Sequence, residues 1–406
     1  MMAMEKGGKF YRQTLKNGMT VLFEERRLPV TSTITATRFG SAFETEKLKG
    51  IAHFIEHSVF KGTKKRGQME ISKEVEKKGG EWNAFTAEEE TAFWIKLRAE
   101  HLDTSMDILS DIMLNPAFDA KDIETERGVI LEEIKMYHDL PQYYVLDKLK
   151  EMLYLKPFGL SALGTKEIIG KVPIDILRKN HILHYNPSNM VLAVVGKSDF
   201  KDVLDMASRH FSKSGKKMEE RNLKIDVGGF GKITERRKSI DQAQLALGFP
   251  MPTRLDMRRY GAEVFNAYLG EGMSSPLFQE IREKRGLAYS VRSSLDQGKR
   301  YGYCAITVGT VKEKVDEVKR IILREIGKVS KMGKRDLEEA KEQLIGKYYL
   351  DMENSMKTAQ CLLYEELTKG AEEYYRYPER ILSVKLPDVQ RLAKIKDYGY
   401  VSVIPE

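Results

Sequence analysis

Apolar and polar residues alternate through Phe10-Tyr11-Arg12-Gln13-Thr14-Leu15, break at Lys16-Asn17-Gly18, and resume in Thr20-Val21-Leu22-Phe23. Asn-Gly between two alternating runs is a strong hairpin signal, so the chain is predicted to open on a pair of antiparallel strands. A further strand is predicted over residues 33–39. After Gly79-Gly80, two β-rich runs, Glu81-Trp82-Asn83-Ala84-Phe85-Thr86 and Thr91-Ala92-Phe93-Trp94-Ile95-Lys96-Leu97, read as paired strands. Helical spacing of apolar residues recurs over about residues 68–78, 102–114, 120–137 and 143–154, and residues 190–195 make a short apolar strand. Strands mixed with helices in this order predict an α+β fold, with helices packed on one face of a mainly antiparallel sheet.

Hydrophobic periodicity lapses over residues 212–232, where Ser, Gly, Lys and Glu dominate. This stretch predicts a domain of residues 1–217, a linker of 218–232 and a second domain of 233–406. Beyond it the order of elements repeats. Asp122-Ile123-Glu124 is echoed by Asp336-Leu337-Glu338, and Val172-Pro173 by Leu386-Pro387, each 214 residues later. Gly80-Glu81-Trp82-Asn83 likewise parallels Gly286-Leu287-Ala288-Tyr289 and the strand predicted to begin near Tyr301. A chain of 406 residues is long enough for two related domains, each with its own core.

Composition removes several function classes. Hydrophobic content of 41% and charged content of 32% describe a globular chain. The net charge of +8 comes from 68 basic residues interleaved with 60 acidic ones, without a long basic tract, so a nucleic-acid partner is not expected. No apolar run approaches the roughly 18 residues of a membrane helix, and the first eight residues lack a signal-peptide core, so a cytoplasmic location is expected with no membrane partner. Cys304 and Cys361 are not spaced as a ligand pair and suggest no disulfide framework. Gly79-Gly80 lacks the spacing and the Lys-Ser/Thr of a phosphate loop.

The residues that carry chemistry are His53-Phe54-Ile55-Glu56-His57, in a proline-free, mostly apolar run predicted to be a helix capped at Gly62. On a helix, positions i and i+4 share a face, so both imidazoles reach one point with the i+3 carboxylate beside them. A catalytic zinc needs such an arrangement: protein ligands, an open position for water and a nearby base. A helix carrying two histidines by chance is the competing reading. A second helical stretch, Glu126-Arg127-Gly128-Val129-Ile130-Leu131-Glu132-Glu133-Ile134, bears on the choice. His-x-x-Glu-His followed some seventy residues later by a Glu-rich helix resembles the inverzincins, and within them the pitrilysin and insulysin family of zinc metallopeptidases. The match is to the short two-domain type, such as mitochondrial processing peptidase subunits and their bacterial relatives.

The resemblance implies a zinc-dependent endopeptidase with one Zn2+ per chain, His53, His57 and Glu133 as ligands, and Glu56 as the base. It gives Glu126 a supporting role, with Glu132 the fallback ligand; Glu126 and Glu133 lie two turns apart and face one way, whereas Glu132 faces another. It also implies that Arg282 and Tyr289, in Leu277-Phe278-Gln279-Glu280-Ile281-Arg282-Glu283-Lys284-Arg285-Gly286-Leu287-Ala288-Tyr289, stabilise the oxyanion. Pro276 stands where the family often has an arginine. Asn83, Ala84, Phe85 and Thr86 resemble the family's substrate-binding edge strand, which would hold extended peptide backbone; the aromatic side chains of Trp82, Phe85 and Trp94 read as core. At the offset of 214, Glu133 falls on Lys347, and His-x-x-Glu-His does not recur after the linker, so only the first domain is expected to bind zinc. A homodimer is implied, acting on peptides or unfolded segments enclosed between domains or subunits. The alternative is a non-catalytic or partner-dependent subunit of a heteromeric processing peptidase.

Overall fold

A computed structural model describes residues 9–214, 223–238 and 240–406. The first sheet contains β1 (Phe10–Thr14), β2 (Thr20–Glu25), β3 (Val30–Thr37), β4 (Glu81–Thr86), β5 (Thr91–Arg98) and β6 (Met190–Gly196). Their order is β1-β2-β6-β3-β5-β4, antiparallel except for the parallel β2/β6 pair. The second holds β7 (Gly231–Arg237), β8 (Ala243–Pro250), β9 (Ala288–Gln297), β10 (Gly302–Thr310) and β11 (Gly399–Pro405). Their order is β7-β11-β8-β10-β9, again with one parallel pair, β11/β7. The second order repeats the first from β2 to β4, so the duplication inferred from sequence echoes is a duplication of topology.

The opening hairpin forms as predicted. Gly18 takes φ +90°, and the Asn17 side chain accepts from the Met19 amide at 3.2 Å, which fixes the turn. The first four α-helices of the chain are α1 (Ile51–Val59), α2 (Gln68–Glu76), α3 (Leu102–Leu114) and α4 (Ala120–Asp139). Phe54, Ile55 and Val59 of α1 join Met106, Leu109 and Met113 of α3 over Phe23, Phe93, Ile95 and Val194. Each such side chain contributes about 1.5–3 kcal/mol on burial. The helix carrying the histidines ends at Val59 and not at Gly62: Phe60 closes it, and Gly62, at φ +133°, instead pairs with Gly67 in the following turn.

The helices of each half cover one face of its sheet, as expected, but the opposite face is also covered. In the first sheet it is covered by helix Ser355–Thr368, which packs on β6 and β3 and hydrogen-bonds Ser355 to Ser32 at 2.8 Å. In the second it is covered by α5 (Pro141–Leu153), which packs on β8 and β11. Val145, Leu149 and Leu153 form its buried stripe, and a Cβ at Gly248 of β8 would lie 2.7 Å from Leu149. The two helices begin 214 residues apart, at the spacing of the repeat.

The compact units are therefore interleaved in sequence: one is drawn from Met1–Ile134, Ala162–Asn222 and Leu350–Tyr374, the other from Lys135–Ser161, Leu223–Tyr349 and Tyr375–Glu406. Contacts divide the chain differently from the boundaries read at 217 and 233, because an amphipathic stripe does not say which sheet it will cover. Of the 218–232 linker, residues 218–222 lie outside the described residues; Val227 bridges to Tyr154, and Gly231 already begins β7.

Candidate metal centre

The segment before α1 fixes how that helix starts. Gly50 adopts φ +92°, where a Cβ would meet Leu163 O at 2.6 Å, and the Glu44 carboxylate accepts from the amides of Gly50 (2.9 Å) and Ala52 (2.6 Å). With the apolar face of α1 held in the core, His53, Glu56 and His57 emerge on its other side. The rings of His53 and His57 lie 4.6 Å apart, and α4 brings Glu133 against both. Glu133 Oε2 is 3.6 Å from His53 Nε2 and 3.6 Å from His57 Nε2. One ligand atom from each of the three residues lies within 4.8 Å of the others. Two donors held about 2.0–2.1 Å from one tetrahedral centre sit roughly 3.3 Å apart. The donor set therefore fits a zinc-sized cation with little rearrangement. Glu132 is exposed and outside this group.

Glu126 is buried behind His57. Its carboxylate takes His57 Nδ1 at 2.9 Å and pairs with Lys61 through the other oxygen. A proton on Nδ1 leaves the Nε2 lone pair of His57 facing Glu133, the tautomer a metal ligand needs. Lys61 was not singled out in the sequence, although it stands one helical turn beyond His57. The buried Nδ1 of His53 has no hydrogen-bond partner among the described residues.

Electrostatics express the crowding of these groups. Burial, with help from His57, lowers the His53 imidazole to about 3. Burial also opposes charge on His57, but the Glu126 hydrogen bond and the carboxylates of Glu56 and Glu133 outweigh it and raise that imidazole. Burial raises the Glu133 carboxyl against the opposing pull of His57. It raises Glu56 too, against Thr86 and His57 and with Glu133 adding to the rise. Glu126 is held below the ordinary range because the hydrogen bonds from His57 and Lys61 overcome burial. A divalent cation among the three donors would relieve the repulsion between Glu133 and Glu56, take the His53 lone pair that burial keeps free, and replace a proton on His57 Nε2.

Glu56 does not point at the donor group alone. Its Oε2 accepts from Thr86 Oγ1 at 2.6 Å, at the end of β4. β4 closes one edge of the first sheet and, among the described residues, pairs only with β5, which leaves its outer backbone groups available to an extended segment. Asn83, Ala84, Phe85 and Thr86 all lie on this edge. Trp82 packs on the core beside Phe60, at 4.9 Å between rings, while Phe85 is half-buried and faces Tyr364. The contact between Thr86 and Glu56 was not legible from spacing, since thirty residues separate them.

In the second unit, Arg282 and Tyr289 are brought together. Arg282 Nη1 donates to Tyr289 O at 2.9 Å, and its guanidinium stacks 4.8 Å from the tyrosine ring. Tyr289 is 79% exposed and sits where the register of β9 against β10 shifts, Ala288 pairing with Thr310 and Ser290 with Gly309. Such a bulge re-aims a side chain, here outward. Arg282 lies in a π-helical turn, a feature found often at functional sites.

The chain as a whole is similar to known proteins. Residues 29–166 match the model of the insulinase family, peptidase family M16, and residues 171–344 that of the peptidase M16 inactive domain. An uncharacterized zinc protease of Streptomyces coelicolor is 33% identical over 95% of this chain and 87% of its own length. Another, from Bacillus subtilis, is 33% identical over 85% of each chain. The crystal structure of a protease from Helicobacter pylori superposes with a TM-score of 0.93 at 23% identity, covering 98% of this chain and 100% of that one. A structure from Pseudomonas fluorescens described as a peptidase M16 inactive domain superposes at 0.89, with 18% identity and 98% of each chain covered.

Proposed function

The chain belongs to the insulinase family, peptidase family M16, and from that premise we propose that it is a zinc-dependent endopeptidase cutting peptides or unfolded protein segments. The observation that carries this reading is the grouping of His53, His57 and Glu133 beside Glu56, which is itself hydrogen-bonded to an open sheet edge. In this reading one Zn2+ per chain is held by Nε2 of His53, Nε2 of His57 and the Glu133 carboxylate. When bound, zinc supplies Lewis acidity, lowering the pKa of water and polarising a carbonyl. Glu56 takes the proton of the attacking water and returns it to the leaving amine, and its raised carboxyl suits that exchange. Asn83 to Thr86 align the substrate backbone as an added strand, with little demand on its side chains. Arg282 and Tyr289 donate to the oxygen on which charge develops. Glu126 fixes the His57 tautomer.

Among the described residues no helix is long and apolar enough to cross a membrane. A homodimer working in the cytoplasm completes the proposal. The test is cleavage of a quenched, unstructured peptide before chelation, after it, and after zinc is restored. Metal-dependent cleavage supports the reading, and Tyr289→Phe in the same assay slows turnover at least about tenfold with zinc content unchanged. A folded, zinc-loaded protein that leaves the peptide intact would overturn it in favour of a partner-dependent subunit.

A further inference from the structure

The segment between β3 and α1 holds a buried acid and a buried base that the mechanism does not use; burial, partly opposed by Lys49, raises the Glu44 carboxyl to about 7. Glu44 and Lys49 both have fully buried side chains, with Lys49 Nζ 3.7 Å from Glu44 Oε2. Removing two charges from water is costly, and such a pair is often no more stable than apolar residues of the same volume. What it provides is geometry. Glu44 receives the amides of Gly50 and Ala52, the first of α1, and Lys49 Nζ donates to Ser41 O at 2.8 Å. Ser41 then reaches the turn between β4 and β5: its amide donates to Ala87 O (3.0 Å), its hydroxyl donates to the Glu88 carboxylate, and the Ala42 amide donates to Glu88 O (2.7 Å). Gly40 lies against the same turn, where a Cβ would come within 2.4 Å of Ala87 O. This ring of contacts closes through the Glu56 to Thr86 hydrogen bond at the end of β4.

We infer that Glu44 and Lys49 are positioning residues for peptide hydrolysis: their buried pair clamps the start of the histidine-bearing helix to the β4–β5 turn, so that Glu56 and the edge strand that receives substrate keep one mutual register. This rests on the reading of α1 and β4 as catalytic and substrate-bearing elements. The clamp and Thr86 restrain the same two elements at neighbouring points. They act on one distance, and their loss is not additive.

The test compares wild type with the double variant Glu44→Gln, Lys49→Met, which removes both ionisable groups at similar volume, and with Ser41→Ala, which releases only the hydroxyl contact. Each is measured zinc-saturated, with and without Thr86→Val, for kcat and KM on a quenched peptide. Amide hydrogen exchange is followed in metal-free protein over residues 50–58 and 81–90, with β8 as internal reference. The double variant is expected to lose about ten- to a hundredfold in kcat, with KM within about threefold, because a small misplacement of the base affects chemistry more than binding. Thr86→Val should have little further effect in that background, and exchange should quicken in both segments together while β8 is unchanged. Ser41→Ala moves every readout the same way by a smaller amount, and decides the matter if the double variant does not fold. Faster exchange confined to residues 44–52, or kcat within about twofold of wild type in a folded variant, would overturn the inference. If wild type itself cleaves nothing, the peptidase reading fails while the exchange measurements still judge the clamp.

Discussion

Helix Arg259–Gly270 packs on β9 in the second unit as α1 packs on β4 in the first, and each helix is followed by a glycine of positive φ, Gly272 (+84°) and Gly62 (+133°). With these glycines matched, His53, Glu56, His57 and Lys61 correspond to Glu263, Asn266, Ala267 and Glu271, and at the 214-residue offset of the repeat Glu133 corresponds to Lys347. The hydrogen bond from the helix to its edge strand is kept: Ser293 of β9 donates to Asn266 at 2.6 Å, as Thr86 of β4 donates to Glu56. The donor group is gone. Lys347 pairs with Glu271 at 3.2 Å, and Glu263 accepts from Tyr377 at 2.7 Å. Among the described residues, only the first unit gathers three donors of the metal-ligating types. One scaffold thus builds both regions, and four or five side chains separate a cation site from a neutralised polar network. The geometry that makes a centre possible is a property of the fold; the charge pattern decides whether it is used.

The comparison breaks most sharply if the second unit's residue is placed in the first. Glu133→Lys, copying Lys347, should abolish zinc binding at micromolar protein and with it all cleavage, as read by metal analysis after gel filtration. An enzyme that still held zinc would show that Glu133 is not a ligand. Glu56→Gln should leave the metal in place and lower kcat by about a thousandfold, since it removes the proton acceptor and keeps the hydrogen bond from Thr86. Retention of turnover would move the base elsewhere. A smaller effect is expected at Lys61, whose counterpart Glu271 reverses its charge. Lys61→Met leaves Glu126 without its second partner, and zinc affinity measured by chelator competition should fall about tenfold. An unchanged affinity would confine Glu126 to holding the helix in place.

These residues differ in how far sequence alone reaches them. His53, Glu56 and His57 were legible because the helical period places them on one face whatever surrounds them. The exposure of Glu132 and the burial of Glu126 follow from the same period on α4. Glu133 as third ligand came through resemblance, since nothing local tells which helix will face α1. The same limit applies to Glu44 and Lys49, to the Thr86 contact and to the helix α5 that covers the second sheet. Each depends on chain segments brought together by tertiary packing. The end of α1 was misplaced for a related reason: Gly62 has the positive φ of a cap, but spends it in the turn that pairs with Gly67. The duplication was accessible because a repeat is visible without knowing its contacts, whereas the order of strands within each sheet came only with the structure.

The smallest effect expected concerns stability, and it again separates the two units. His181 is buried on helix Ile174–His184, with Nε2 donating to Met113 O at 2.8 Å. At the repeat offset its counterpart is Ile395, a residue that packs on the second core without titrating. Burial lowers the His181 imidazole to about 4, with the Met113 carbonyl partly opposing and Lys213 adding to the shift. An unfolded histidine titrates near 6.5. Below that value the unfolded chain binds a proton that the folded chain refuses, so the stability tied to His181 is complete above about 6.5 and is lost as pH falls towards 4. Across that window the loss approaches roughly 3 kcal/mol, and once the folded imidazole is also protonated no more is lost. His181→Gln keeps a donor for Met113 and removes the titration. Denaturant unfolding at pH 7 and at pH 4.5 should therefore show a smaller acid loss in the variant than in wild type. Equal losses would mean that acid sensitivity resides in other groups, and that His181 differs from Ile395 in shape alone.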